Sequence, residues 1–369
     1  HKPEFAGEWV PFDRAFAEVS RGVKKFGQNE YLDQGEHPII DQGKNAIAGY
    51  SNEQLGMFKD VPAIVFGDHT RVFKYVDRPF FIGADGVKIL KPLLSENVLF
   101  WYYALCAANI ENLGYSRHFK LLKEKSFLNS SHKDQASITQ ILETVDEQIS
   151  LSNSLLSSLD NLVKSQFVEM FGDVRSFTRL GDQCSKITKG TTPTTVGFQF
   201  QSEGINFVKI ESIGDNGTIM PNKMAHIGED CHTTLSRSQL MAGDLLFSIA
   251  GAIGRSAIVP DAILPANTNQ ALAIIRLRSD APLDRTYLRF ALSSDAVRIA
   301  SEKTKRGIAQ VNLSLKDVSE FRLPLPPLAL QQQFADFVAR VDKLGFDCYR
   351  EIVCCSVLFS SMSASLLCT

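Results

Sequence analysis

A ten-position heptad ladder occurs twice in this chain, 196 residues apart (Ile138 to Phe334) and in register. The first copy runs Ile138, Leu142, Val145, Ile149, Ser152, Leu156, Leu159, Val163, Gln166, Met170. The second runs Phe334, Val338, Val341, Gly345, Cys348, Ile352, Cys355, Phe359, Met362, Leu366. The steps alternate four and three, which keeps one stripe on one side of a helix. Eight of ten positions are apolar in the first copy and nine of ten in the second, so each stripe needs a partner. The local text matches too: Leu142-Glu-Thr-Val145-Asp146 against Val338-Ala-Arg-Val341-Asp342. Each ladder follows a larger globular segment, so the chain reads as one unit duplicated.

At 369 residues the chain has room for two to three domains, and 44% hydrophobic content lets each half bury a core. The net charge of −2 hides an uneven distribution. Residues 132–172 carry two Lys against six acids, a net of −4, whereas residues 175–325 carry 18 Lys+Arg against 14 acids, a net of +4. Acidic helices beside mildly basic globules suit contact with a polyanion through the globules alone; ordinary surface variation is the other reading. The seven cysteines form no CxxC pair, which reads as free thiols in a reducing cytosol. No signal-peptide pattern and no apolar run of about 18 residues is present, so a cytoplasmic, non-membrane protein is expected.

The expected organisation is a first globule at 1–128, a long helix at 129–172, a second globule at 173–325 and a second long helix at 326–369. Ser131-His-Lys-Asp134 has capping-box spacing at the first helix start, and Gly172 closes that helix. Pro324, Pro326 and Pro327 end the second globule and admit a helix after them. Strand candidates in the first globule are Pro38–Ile40, Ala63–Phe66 and Gly86–Leu90. Ile205–Ile210, Asp244–Ile249 and Leu272–Leu277 occupy corresponding places in the second. Helix candidates Val98–Ala108 and Thr286–Ser301 follow, then Gly-containing turns at 114–117 and 307–310. The fold class is therefore mixed α+β. Two globules are separated by two long helices, each about 60 Å if fully helical. The helices are expected to pair antiparallel as a coiled-coil spacer, giving an internal pseudo-twofold repeat. Packing of each helix on its own globule, or in a homodimer, is the alternative. Ser152, Gln166 and Gly345 are weak points in the seam.

No catalytic constellation emerges. The sequence lacks a GxxxxGK[ST] phosphate loop, a Gly-rich S-adenosylmethionine motif and an Asn/Asp-Pro-Pro-aromatic motif. Gly251-Ala-Ile-Gly254 lacks the third glycine of a dinucleotide loop and reads as a tight turn. His226 and Cys231-His232 have no second pair at metal-ligand spacing, and no Glu-x-Lys follows Asp244 as a nuclease would need.

Several segments, in this order, resemble the specificity (S) subunits of type I DNA restriction–modification enzymes. Phe127 to Gln135 with Ile138–Asp146 is similar to the junction into that family's first conserved helix, and Ser165-Gln-Phe-Val-Glu-Met-Phe-Gly172 to its end. Leu323-Pro-Leu-Pro-Pro-Leu-Ala-Leu-Gln331 resembles the Pro-rich entry to the second helix. Gly243–Gly254 and Gly307-Ile-Ala-Gln310-Val-Asn312-Leu-Ser314 are similar to recurrent recognition-domain segments, and Gly67-Asp-His69-Thr-Arg71 to a variant of the first. The first junction departs from the pattern, with Asn129-Ser-Ser131 in place of prolines, and the stretch from Cys354 to Thr369 is unlike the usual ending.

The resemblance implies two target recognition domains, each reading half of a split double-stranded DNA sequence. It implies two methyltransferase subunits docked on the helices and a restriction/motor subunit completing the complex. S-adenosylmethionine, ATP and Mg2+ would sit on those partners, with no cofactor or metal in this chain, which would be non-catalytic. The seam expected to serve docking is Ile138, Leu142, Val145, Leu156, Leu159, Val163, Phe334, Val338, Val341, Ile352 and Phe359.

Reading DNA needs side chains for base edges and cations for phosphates. In the first globule His69, Arg71, Lys74, Arg78 and Lys88 fall in one basic stretch, with Phe73 and Tyr75 interleaved to pack on sugar or thymine methyl. In the second, Arg298, Lys303, Lys305 and Arg306 precede Gly307, and the amides of Gln310 and Asn312 suit adenine. Lys189, Arg255, Asn267, Asn269 and Gln270 are further loop-tip candidates. Each has a second reading. Arg298 to Arg306 also fits a solvated helix end, Gln310 and Asn312 also fit caps of their own turn, and Arg71 also fits an ion pair with Asp68 or Asp77. Three rival functions remain open: the specificity module of a solitary modification system, a protein-binding scaffold, and an enzyme with an unrecognised site.

Overall fold

The computed structural model describes residues 6–83, 86–114, 116–293 and 312–364. Four helices carry labels here: α1 Val98–Cys106, α2 His132–Phe171, α3 at residues 285–293 and α4 Leu328–Ala364. Two compact units divide the chain, residues 1–154 with 348–369 and residues 155–347. Each unit holds one globule and one half of each long helix.

Local chemistry sets the helix starts. Ser131 Oγ accepts the Asp134 N–H (3.2 Å) and donates to the Asp134 carboxylate (2.7 Å), satisfying a first-turn donor of α2. At α4 the proline run supplies no amide hydrogens to waste, and Pro327 O accepts from Leu330 (2.9 Å) and Gln331 (3.3 Å). Helix α2 ends at Phe171, and Gly172 keeps its N–H on Val168 O at 2.8 Å. Gly172 closes the helix as expected, and it does so without a left-handed φ.

In the first unit the strands are β1 Gly7–Pro11, β2 Phe16–Glu18, β3 Lys25–Phe26, β4 His37–Ile40, β5 Gly49–Ser51, β6 Ala63–Gly67, β7 Phe73–Val76, β8 Phe81–Gly83, β9 Val87–Pro92 and β10 Ser126–Ser130. An antiparallel sheet of order β2-β9-β6-β7 packs under α1, and a second sheet, β3-β8-β4-β5, has β8 parallel to both β3 and β4. Ribbon β1–β10 leads into α2. The core under α1 joins Phe12, Phe16, Phe66, Trp101 and Phe127 to Ile138 and Leu142 of α2 and Met362 of α4. Phe359 packs edge-on to Tyr103 at 5.7 Å. Ser152 is not a gap: it is buried and donates to Glu351 (3.3 Å), which also accepts from Gln148 (2.7 Å).

The second unit repeats this plan. Its strands are β11 Phe177–Arg179, β12 Cys184–Lys189, β13 Ile205–Val208, β14 Ala225–Ile227, β15 Leu245–Ser248, β16 Ser256–Ile258, β17 Ala266–Thr268, β18 Leu272–Leu277 and β19 Arg322–Pro324. Sheet β12-β18-β15-β16 matches β2-β9-β6-β7, and β14-β13-β17 matches β5-β4-β8, including one antiparallel and one parallel pairing. Ribbon β11–β19 matches β1–β10. The continuous apolar runs of β6 and β15 are buried on both faces, as middle strands under a helix must be. Leu159 and Val163 of α2 meet Phe334, Val338 and Val341 of α4 in this unit's core. Thus the first half of α2 packs with the last half of α4 in one unit, and the reverse halves pack in the other. The expected strand Ile205–Ile210 stops at Val208, and the helix expected at Thr286–Ser301 is described only as far as residue 293.

Candidate nucleic-acid interface

Both globules build a corner at the same place, where the turn after the middle strand meets the ends of neighbouring loops. In the first unit this is the β6–β7 turn, closed by Arg71 N–H on Gly67 O at 2.7 Å. Arg71 adopts φ 63°, the one non-glycine left-handed residue among those described. Buried Asp68 pins the turn from behind. Its N–H donates to Gly86 O (2.6 Å), its carboxylate accepts Phe119 N–H (2.7 Å), and its carbonyl accepts His118 N–H (2.9 Å) and faces His118 Nδ1 (2.9 Å). His69 Nδ1 lies 3.0 Å from Ser116 O, and its N–H donates to Gln42 Oε1 (3.3 Å). Lys88 pairs with Phe66 in register and sits 5.4 Å from the Phe119 ring centre.

Three first-globule expectations change. Lys74 points inward: only 7% exposed, its ammonium donates to Asp41 O (2.8 Å) and Asp41 Oδ1 (3.3 Å). Burial pulls its pKa down, with Asp41 opposing, so it is a core ion pair rather than a phosphate contact. Period-two alternation along β7 dictates this, since Lys74 and Val76 share the inner face. Arg71 pairs with neither Asp68 nor Asp77; its Nη1 donates to Ile110 O at 2.9 Å. Phe73 is drawn onto the Phe66 ring (4.8 Å) rather than held free, whereas Tyr75, beside Tyr102 of α1 (6.0 Å), stays exposed. Arg78, at the far end of β7 from the turn, pairs with Asp77 at 3.6 Å.

In the second unit the corresponding turn is 249–255, with Gly251 and Gly254 at φ 68° and 90°. The dinucleotide-loop resemblance thus resolves to a β15–β16 hairpin turn. Ile249 N–H reaches Ala271 O (3.0 Å), and Leu313 N–H reaches Ile249 O (2.8 Å), bringing Asn312 to the same corner. Exposed Lys189 ends β12 beside it and forms no ion pair among the described residues. Next to it, a Cβ on Gly190 would lie 1.9 Å from Thr268 O, so only glycine lets β12 pass so close to the β17–β18 connection. Thr192 donates to exposed Gln270, and Asn269 accepts Ala271 N–H at 3.2 Å. Arg255 pairs with Asp215.

Asn267 corrects the loop-tip expectation. It is 0% exposed, and its amide donates to Leu235 O (3.1 Å) and Ser238 Oγ (3.2 Å), with His232 Nδ1 at 2.5 Å from its oxygen. No base can reach it. Asp244 is equally buried and is held by two bonds of 2.7 Å from Arg276, whose pKa that pairing raises. Lys303, Lys305, Arg306 and Gln310 lie outside the described residues. Reasoning from sequence missed Gln42, which braces the first corner, and Arg237, whose guanidinium lies 3.4 Å from Thr191 Oγ1. Neither sits in a motif; the corresponding position two residues past β13 is apolar Ile210, whose Cδ1 would lie 3.8 Å from a Cβ on Gly251.

Residues 176–351 match the family model of the type I restriction modification DNA specificity domain. That segment belongs to the specificity-domain family. The resemblance read in the sequence is borne out. Along 91% of the chain and 87% of the relative, it is 22% identical to the Escherichia coli EcoR124I/EcoR124II type I specificity subunit. It is 29% identical over 143 residues to the Escherichia coli EcoBI specificity subunit, covering 38% of the chain and 29% of the relative. The fold matches the S subunit of a type I restriction-modification system from M. genitalium, with TM-score 0.60 and 15% identity, over 99% of this chain and 97% of that one. The specificity domain contains Lys189, Arg255, Asn269, Gln270 and Asn312. His69 and Lys88 stand outside it, in a globule with the same strand order.

Proposed function

We propose that this chain is the DNA-reading subunit of a type I modification and restriction complex, with one half-site read by each globule. The observation that carries this is the repetition of one globule on one helix pair, with equivalent loop corners of different chemistry: Gln42, His69 and Lys88 in the first, Lys189, Asn269 and Gln270 in the second. One fold with two unlike reading surfaces is what a split, asymmetric target asks for. Cations such as Lys189 and Lys88 hold phosphates, and polar loop tips read base edges. The long helices dock two methyltransferase subunits and, through them, the motor and nuclease subunit. S-adenosylmethionine, ATP and Mg2+ act on those partners. This chain itself makes and breaks no bonds; its residues choose the site, and the adenine to be methylated is flipped into the partner's pocket.

Binding of the purified chain, in complex with its methyltransferase, to a pool of random duplexes tests this. Enrichment of a split motif with affinity falling steeply in salt is the expected result. Salt-insensitive binding, or none, would transfer the assignment to a protein-binding scaffold.

A further inference from the structure

The two long helices carry a buried glutamine at the same place, and the ladder offset of 196 residues relates Gln135 to Gln331. Each is the fourth residue of its helix. Gln135 is 1% exposed and Gln331 0% exposed. Gln331 Nε2 donates to Pro326 O (2.9 Å) and Pro282 O (3.0 Å), and its Oε1 accepts Asp284 N–H (2.8 Å). Asp284 in turn caps α3, accepting Tyr287 N–H at 3.0 Å. Gln135 Nε2 donates to Ser130 O (3.0 Å) and Asn129 Oδ1 (3.3 Å), and its Oε1 accepts from Ser95 Oγ (2.7 Å). Ser95 stands two residues before Asn97, the cap of α1, and also takes the Trp101 indole N–H at 3.1 Å. In both units one amide therefore ties the start of a long helix to the start of the globule's own helix.

A buried, satisfied amide is directional where apolar packing is not. Hydrogen bonds at fixed angles select one docking geometry out of several that bury the same area, and any other geometry leaves buried carbonyls and N–H groups unpaired. We infer that Gln135 and Gln331 are positioning residues for sequence reading: each fixes the angle at which its globule is held on its half of the helix pair, and so how far along the duplex its half-site falls. This rests on the two-half-site reading above. It assigns to two side chains, neither touching DNA, control over the unread gap.

The test uses the full chain in its methyltransferase complex, with modified sites mapped genome-wide. Gln331→Met and Gln135→Met keep side-chain length and remove the directed bonds. Ser95→Ala is a milder cut in the same network, should either fail to fold. The expected result is that both half-sites keep their bases while sites with a gap one base pair longer or shorter become modified at least about tenfold above wild type, alongside the lowered melting temperature that the stranded buried partners bring. A gap unchanged in all three variants overturns the inference. So does loss of one half-site together with a lowered melting temperature, which is what a purely stabilising residue gives. A wild-type complex that modifies an uninterrupted motif would instead overturn the two-half-site reading, and this inference with it.

Discussion

Phe334→Ala probes the packing that joins α2, α3 and α4 in the second unit. The ring is fully buried, with Phe290, Phe167 and Phe171 centred 5.2, 5.4 and 5.5 Å away, all near edge-on. Truncating a buried Phe to Ala costs about 3–5 kcal/mol. Three well-oriented ring pairs, each about 0.5–1.5 kcal/mol beyond area burial, place this site in the upper part of that range, about 4–5 kcal/mol. With a urea m-value of about 2 kcal/mol/M, the transition of this unit should move down by about 2 M. The chain's two tryptophans, Trp9 and Trp101, both belong to the other unit, so fluorescence reports that unit alone while circular dichroism sums both. The transition seen by circular dichroism should shift, and the fluorescence transition should stay within about 0.5 kcal/mol, as for distant sites. A loss under about 1 kcal/mol would refute the packing described for Phe334. Equal shifts in both signals would refute separate cores.

Gly345→Ala should stabilise the protein by about 0.5–1 kcal/mol, because the helix gains propensity and the new methyl meets Leu156 Cδ2 at an ordinary 3.6 Å; a lowered melting temperature would contradict this. Arg276→Ala should cost about 3–5 kcal/mol by stranding buried Asp244, and the double change with Asp244→Leu should recover most of it, as a denaturation cycle would show. Asp146 is exposed at the helix surface, and partial desolvation of its carboxyl lifts it above its ordinary range, with Glu147 adding to the effect. Folded protein then holds that proton more tightly than the unfolded chain, so its contribution is fully present below about pH 3.9 and is lost as pH rises through the raised value. Asp146→Asn should flatten that fall and raise the melting temperature at neutral pH; a difference from wild type that does not vary with pH would contradict it. Lys189→Ala should weaken DNA binding evenly across sequences and lower the salt slope by about one unit, measured by anisotropy titration; an unchanged slope removes Lys189 from the interface.

The helices were legible because their signal is periodic and local. A stripe such as Ile138 to Met170 announces both the helix and the side it buries, and Ser131 marks where it begins. Middle strands of the sheets, Ala63–Gly67 and Leu272–Leu277, were legible as apolar runs, the second broken only by Arg276. Edge strands were not: Phe16–Glu18 and Lys25–Phe26 are too short to show alternation and exist only through pairing with distant β9 and β8. The interface was legible as regions, since turns carry Gly and polar residues, but not residue by residue. Lys74 and Asn267 looked like surface polar groups, and what buries them is a partner far along the chain, Asp41 in one case and Leu235 with Ser238 in the other. Gln135 and Gln331 were visible inside quoted motifs, yet their role appears only when the carbonyls around them are located.

Mapping modified adenines in cells that co-express this chain with its methyltransferase decides whether each globule reads its own half-site. One split motif is expected, two short specified parts of different sequence around a fixed gap. A single uninterrupted motif, or a soluble complex that leaves the genome unmodified, would contradict it.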